Sequence, residues 1–189
     1  LVLLLALAYF VLAKVGLRLA FVQANASPVW APAGLALAAL LAGGIRLWPG
    51  VLAGAWLANL TTPGTPALAA LLIAAGNTLS AAGAALVLRR IGFDAALRRF
   101  RDILVLMEVG VVLAPVVSAT NGTAQLVLSG AAPAGAWREI WLVWFSGDAI
   151  GILLVSPLLL SWWTRRRRTG YVPASPETLA LIACVLACC

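Results

Sequence analysis

Residues 137–168 read WREIWLVWFSGDAIGILLVSPLLLSWWTRRRR. A helix rises 1.5 Å per residue, so about 20 apolar residues cross a hydrocarbon core of about 30 Å. The run from Trp137 to Trp163 is long enough to do so. Arg165, Arg166, Arg167 and Arg168 end it in the manner of a cytoplasmic membrane flank. One carboxylate, Asp148, interrupts it. An ionisable side chain at such a depth costs about 2.5–3.5 kcal/mol on insertion scales, which marks it as a functional candidate. Helical spacing places Trp144 and Trp141, four and seven residues before Asp148, on the carboxylate's face, and Trp137 extends the stripe outward.

The rest of the chain is built like this segment. Of its 189 residues 63% are hydrophobic and only 10% charged, with a mean hydropathy of +1.05. A soluble domain carries about a quarter charged residues, and this few cannot form a polar shell. Seven apolar segments are expected. They run from about Leu1 to Ala20, Trp30 to Gly43, Trp48 to Leu60, Ala67 to Leu88, Ile103 to Thr120 and Trp137 to Trp163, with a last one starting near Glu177. A loop rich in Gly, Ser and Ala, containing Pro133, is expected after Thr120. The second and third segments are short, and the sequence allows either tilted spans or one re-entrant hairpin. Small residues such as Ala74, Gly76, Ser80, Ala81 and Gly83 permit close helix contact, so the fold class is an all-α polytopic transmembrane bundle. The start inside a Leu-rich run and the short last segment lead us to expect a single domain, 1–189, truncated from about eight helices at both ends, with no output domain.

Charge sets the topology. With the amino terminus in the cytoplasm, the inward loops hold Arg46, Arg89, Arg90, Arg98, Arg99, Arg101 and Arg165 to Arg168, ten basic residues. The outward side holds only Lys14, Arg18 and Arg138. Ten against three supports this orientation in a bacterial inner membrane. The net charge of +7 is thus a membrane-flank signal, and nucleic acid is not an expected partner.

The chain contains no histidine. Phosphohistidine chemistry, Ser-His-Asp catalysis, His-ligated haem and His-containing zinc sites are therefore excluded within it. Cys184, Cys188 and Cys189 lie in the apolar C-terminal stretch with no CxxC pair and read as small hydrophobic side chains. Neither a metal cluster nor a cofactor motif is found, and no enzyme is expected within these residues. Asp148 has two readings. Beneath tryptophan faces, with Gly147 and Gly151 leaving backbone open, it could sense a cation, an amine-bearing ligand or a proton; alternatively it pairs with an arginine or caps a helix. Glu108 is expected in a boundary ion pair with Arg101. Lys14 and Arg18 share a face and snorkel to the outer interface, or neutralise Asp148 if the first helix packs against the sixth. Asn59 and Asn77 read as interhelical hydrogen-bonding groups, and Asn121-Gly122-Thr123 matches a glycosylation sequon.

Several motifs together are more specific. Val29-Trp30-Ala31-Pro32-Ala33-Gly34-Leu35, then Gly44-Ile45-Arg46-Leu47-Trp48-Pro49-Gly50, then Gly54-Ala55-Trp56-Leu57-Ala58-Asn59 follow one another. Ala75-Gly76-Asn77-Thr78-Leu79, Arg98-Arg99-Phe100-Arg101-Asp102-Ile103 and Trp144-Phe145-Ser146-Gly147-Asp148-Ala149-Ile150-Gly151 with Pro157 come next, in order. This succession resembles the bacterial membrane-associated sensor domain, type one. The resemblance implies a sensory module in the inner membrane, placed before a histidine kinase, diguanylate cyclase or phosphodiesterase output domain fused on the cytoplasmic side. It carries over Trp30, Pro32, Gly34, Trp48, Pro49, Asn59, Asn77, Trp144, Gly147 and Asp148. Phe145 stands where the family often has a second tryptophan. The expected sensing group is thus Asp148, Trp144, Trp141, Gly147, Asn77 and Trp30, and the expected partners are the lipid bilayer, a fused signalling domain and a second copy in a homodimer. The competing functions are a small membrane transport subunit, as the substrate-binding component of a multi-component importer or a proton-coupled carrier, and a purely structural anchor.

Overall fold

The computed structural model describes residues 1–18 and 27–169 of the 189, with side chains as far as Arg166. Six helices follow one another: α1 Val2–Leu17, α2 Ala31–Gly43, α3 Trp48–Leu60, α4 Ala67–Arg90, α5 Phe100–Leu128 and α6 Trp137–Thr169. No strand occurs among the described residues. The count is therefore six where seven segments were expected; the segment from Glu177 lies outside the described residues.

Local chemistry explains the punctuation. Pro32 and Pro49 each sit in the first turn of a helix, where a missing N–H leaves no hydrogen bond unmade, and Pro115 opens the second α-helical stretch of α5. Gly92, at φ +72°, closes α4 with a Schellman motif: Gly92 N–H donates to the Arg89 carbonyl at 3.2 Å and Phe93 N–H to Leu88 at 3.0 Å. Two expectations need correction. Helix α5 continues to Leu128 instead of opening into a loop after Thr120, because Asn121, Gly122 and Thr123 are packing residues. Asn121 Nδ2 donates to the Leu72 carbonyl of α4 at 2.9 Å, Gly122 lies against the Trp144 ring, and Thr123 is fully buried. Helix α6 runs on through the arginine cluster instead of ending at Trp163.

Pro115 leaves a second mark. A proline inside a continuous helix clashes with the carbonyl four residues back, here Val111, and offers it no hydrogen bond. The preceding stretch, Leu106–Leu113, is wound as a π-helix, which widens the turn and relieves that clash.

The helices pair in two senses. Gly50 and Gly54 of α3 lie against the Val2 and Ala6 carbonyls of α1, so α1 and α3 run parallel. Gly34 of α2 lies against Gly151 and Val155 of α6, so α2 and α6 also run parallel. Helices α4 and α5 are antiparallel, with Gly76 on Asn121 and Ser80 Oγ donating to the Ala114 carbonyl at 2.6 Å. Helices α5 and α6 are antiparallel as well, with Gly122 on Trp144. Odd-numbered helices thus run one way and even-numbered helices the other. This alternation puts Arg46, Arg89, Arg90, Arg98, Arg99, Arg101, Arg165 and Arg166 at one end of the bundle, here the arginine end, and Lys14 and Arg138 at the other. Arg89 confirms the register by donating to the Leu40 and Leu41 carbonyls at the end of α2.

Helices α2 and α3 are not a hairpin packed on itself. Helix α2 packs against α6, α4 and α1, while α3 packs against α1 and α4. With 13 residues, α2 extends about 20 Å and falls short of the hydrocarbon thickness. It starts where Trp30 N–H donates to the Gly147 carbonyl at 2.9 Å, ten residues and about 15 Å down α6 from Trp137. The non-helical residues before it, Ser27 to Val29, are covered by α6, as irregular backbone at that depth must be.

Candidate functional site

The motifs at the start of α2 and in the middle of α6 interlock through missing side chains. A Cβ on Gly147 would run into the Ser27 carbonyl, and one on Gly151 into the Trp30 carbonyl. Ser156 Oγ, one turn beyond, donates to the Gly34 carbonyl at 3.0 Å. This contact fixes the height of Asp148 relative to the first turn of α2.

Asp148 is 3% exposed. Its Oδ2 accepts a hydrogen bond from Ser118 Oγ of α5, and among the described residues its Oδ1 has no hydrogen-bond partner. Among the described residues no Lys or Arg is found in an ion pair with it; the pair of Arg98 Nε with Asp94 Oδ2, at 3.3 Å, lies in the loop between α4 and α5. The expected alternative, pairing of Asp148 with an arginine, is therefore not found among the described residues. Asp148 faces a narrow cavity of about 10 Å³, close to the room needed by one water molecule. Five helices supply its walls. The polar ones are Tyr9 of α1, Asn77 and Ser80 of α4, Ser118 of α5 and Asp148 of α6; Trp30 before α2, with Ala33 and Leu37 on it, complete one side. Asn77 Nδ2 donates to the Tyr9 hydroxyl at 3.4 Å, and Asn77 Oδ1, like Asp148 Oδ1, has no donor.

The expected site residues divide accordingly. Asp148, Asn77 and Trp30 meet at the cavity. Gly147 shapes it from behind by admitting the segment before α2. Trp144 and Trp141 do not line it. Trp144 is buried against Gly122, and Trp141 stacks on Phe145 at 5.1 Å and donates Nε1–H to Thr120 Oγ1 at 3.0 Å. The two tryptophans hold α6 to α5 one and two turns above the carboxylate. Sequence reasoning missed Tyr9, which is 1% exposed. A lone tyrosine in a Leu-rich helix offers no periodic signal; its hydroxyl, in need of a partner when buried, was the available clue.

Other charged candidates are elsewhere. Helix α1 lies on α3 and α2, so Lys14 does not reach Asp148; its Nζ donates to the Thr61 carbonyl at 3.0 Å and the Ala58 carbonyl at 3.4 Å at the end of α3. Arg18 is exposed. The expected Glu108 to Arg101 pair is absent among the described residues: Glu108 is exposed, and Arg101 donates to the Ile91 carbonyl at 2.7 Å, since Glu108 stands two turns beyond it. Asp102, 1% exposed in the first turn of α5, accepts from the Asp94 N–H at 3.2 Å and ties the arginine-rich loop to the helix start. Asn59 donates to the Ala55 carbonyl of its own helix at 2.9 Å. Among the described residues no cluster of three metal-ligating side chains occurs.

The chain was compared with known proteins. The MASE1 family model, which describes a membrane-associated sensor domain found in histidine kinases and diguanylate cyclases, matches residues 1–189. No curated protein and no solved structure matches the chain significantly.

Proposed function

From the premise that this chain belongs to the MASE1 family, whose domains are sensory and not catalytic, we propose that its stimulus acts at the Asp148 cavity and reaches a cytoplasmic output domain through α6. The observation that carries this reading is a buried carboxylate with no basic partner among the described residues, tied by one hydroxyl to α5 and set where five helices meet. A group so placed has two arrangements of comparable energy only if its surroundings repack when its charge or ligation changes. The π-helical turn of α5, directly before Ala114 and Ser118, is the element able to do so, because its wider winding sits next to regular α-helical winding. Repacking there shifts α6 against α5, and α6 leads without a break into the arginine cluster.

In this reading the arginine end faces the cytoplasm, in keeping with the charge distribution. Trp141, Trp144 and Gly147 act as positioning residues that set the height of Asp148. The test uses the parent protein with its output domain attached. Asp148→Asn is expected to change the dependence of output activity on stimulus while membrane insertion and abundance stay normal. Output that follows the wild-type response in this variant overturns the proposal and leaves a membrane anchor.

A further inference from the structure

The walls of the Asp148 cavity raise a question of charge and of hydrogen-bond supply. Two oxygens, Asn77 Oδ1 on α4 and Asp148 Oδ1 on α6, are buried with no hydrogen-bond partner among the described residues, and both residues line the same cavity. Among the described residues no Lys or Arg lines it. The first turn of α2 brings the positive end of a helix dipole to this level, but that amounts to about half an elementary charge at most. A buried pair of bare acceptors, one of them a carboxylate, is unstable unless something electropositive sits between them.

The chemistry of the walls says what that is. The acceptor atoms around the space are all oxygens, from the Asp148 carboxylate, the Asn77 amide carbonyl and the hydroxyls of Tyr9, Ser80 and Ser118, with the Asn77 amide and the Trp30 indole supplying N–H groups beside them. With neither sulfur nor imidazole, this is a hard donor set that selects against transition metals. A single carboxylate balances one charge, whereas calcium and magnesium sites usually draw on more than one anionic ligand. A cavity of about 10 Å³ excludes an organic ammonium ion and admits a particle the size of one water. We propose that this cavity is a binding site for a monovalent inorganic cation, Na⁺ by its size, held between Asp148 Oδ1 and Asn77 Oδ1 with the Tyr9, Ser80 and Ser118 hydroxyls around it. This rests on, and deepens, the reading of the cavity as the stimulus site: the cation bridges α4 and α6, and its loss frees the two helices to move apart.

The experiment measures the Tm of the 189-residue chain in lipid nanodiscs at pH 8, with NaCl replaced by choline chloride at constant ionic strength. A ligand that binds only the folded state raises Tm in step with its concentration, and a tenfold excess over Kd amounts to about 3–5 °C here. The expected result is a rise of that size in Na⁺ that continues with the logarithm of its concentration above Kd, absent in choline. Asp148→Asn is expected to abolish the rise, and Asn77→Ala to move its onset to higher Na⁺ concentration. Identical Tm in Na⁺, K⁺, Li⁺ and choline overturns the proposal, and so does a Tm that responds to pH equally with and without Na⁺, which assigns the cavity to a proton. The wild-type series decides even if a variant fails to fold. Because the readout is Tm and not output activity, the two readings fail separately. Cation stabilisation with an unaltered output response in Asp148→Asn retains the site and removes its sensory role; an altered response without cation stabilisation does the reverse.

Discussion

Asp148 and Gly151 lie one turn apart on α6, and each is defined by what is missing beside it. Asp148 has no basic side chain as partner among the described residues and keeps a single hydroxyl donor, Ser118. Asp148→Asn preserves an acceptor for that hydroxyl, while Asp148→Leu leaves it only the Pro115 carbonyl of its own helix, at 3.3 Å. We expect the Leu variant to be less stable than the Asn variant by about 0.5–1.5 kcal/mol, read from thermal unfolding in choline buffer. Gly151 lacks a Cβ, and the Trp30 carbonyl occupies that space. Gly151→Ala therefore forces α2 from α6 and is expected to cost about 1–3 kcal/mol. Gly83 on α4 is the control: nothing lies within 4 Å of its would-be Cβ. Gly83→Ala is expected to stabilise by about 0.5–1 kcal/mol through backbone entropy alone. Equal losses from the two substitutions would contradict the close α2 to α6 approach.

At the scale of elements, α5 is two α-helical stretches joined through eight residues of π-helix, Leu106–Leu113. Hydrogen bonds in such a turn have poorer geometry, so amides of residues 106–113 are expected to exchange faster than those of 116–128. Pro115→Ala removes the clash with the Val111 carbonyl and restores a donor, so it should slow that exchange. Unchanged exchange in the variant would detach the π-helix from the proline. Little of this was legible in the sequence. Apolar runs located all six described helices, and Trp48–Leu60 had the expected limits, because hydropathy and the Pro and Arg punctuation are local signals. The end of α5 was misplaced because Asn121-Gly122-Thr123 looks like loop chemistry until Leu72 and Trp144 are known to cover it. Asp148 and Asn77 stood out as polar groups in apolar runs. That they share a cavity with Tyr9, and that Trp144 faces Gly122 instead, depends on which helices adjoin, and hydropathy carries no such information.

Across the whole molecule, the alternation of helix directions gathers the basic residues at one end, and this makes orientation testable. A reporter active only in the periplasm is expected to be silent when fused in the loop 91–99 and active when fused in the loop 129–136; the reverse would invert the bundle. The parallel pairing of α2 with α6 bears on how such a chain is made. Ser156 and Gly34, which meet in the finished fold, are 122 positions apart. At about 5–20 residues per second a ribosome takes about 6–24 s to cover that distance. For that interval α2, too short to span the bilayer and begun by bare backbone at Ser27 to Val29, has no α6 to cover it. The second helix made is thus secured by the sixth, and a nascent chain arrested before Trp137 leaves the Trp30 carbonyl and Gly34, which α6 covers in the finished fold, to lipid or the insertion machinery.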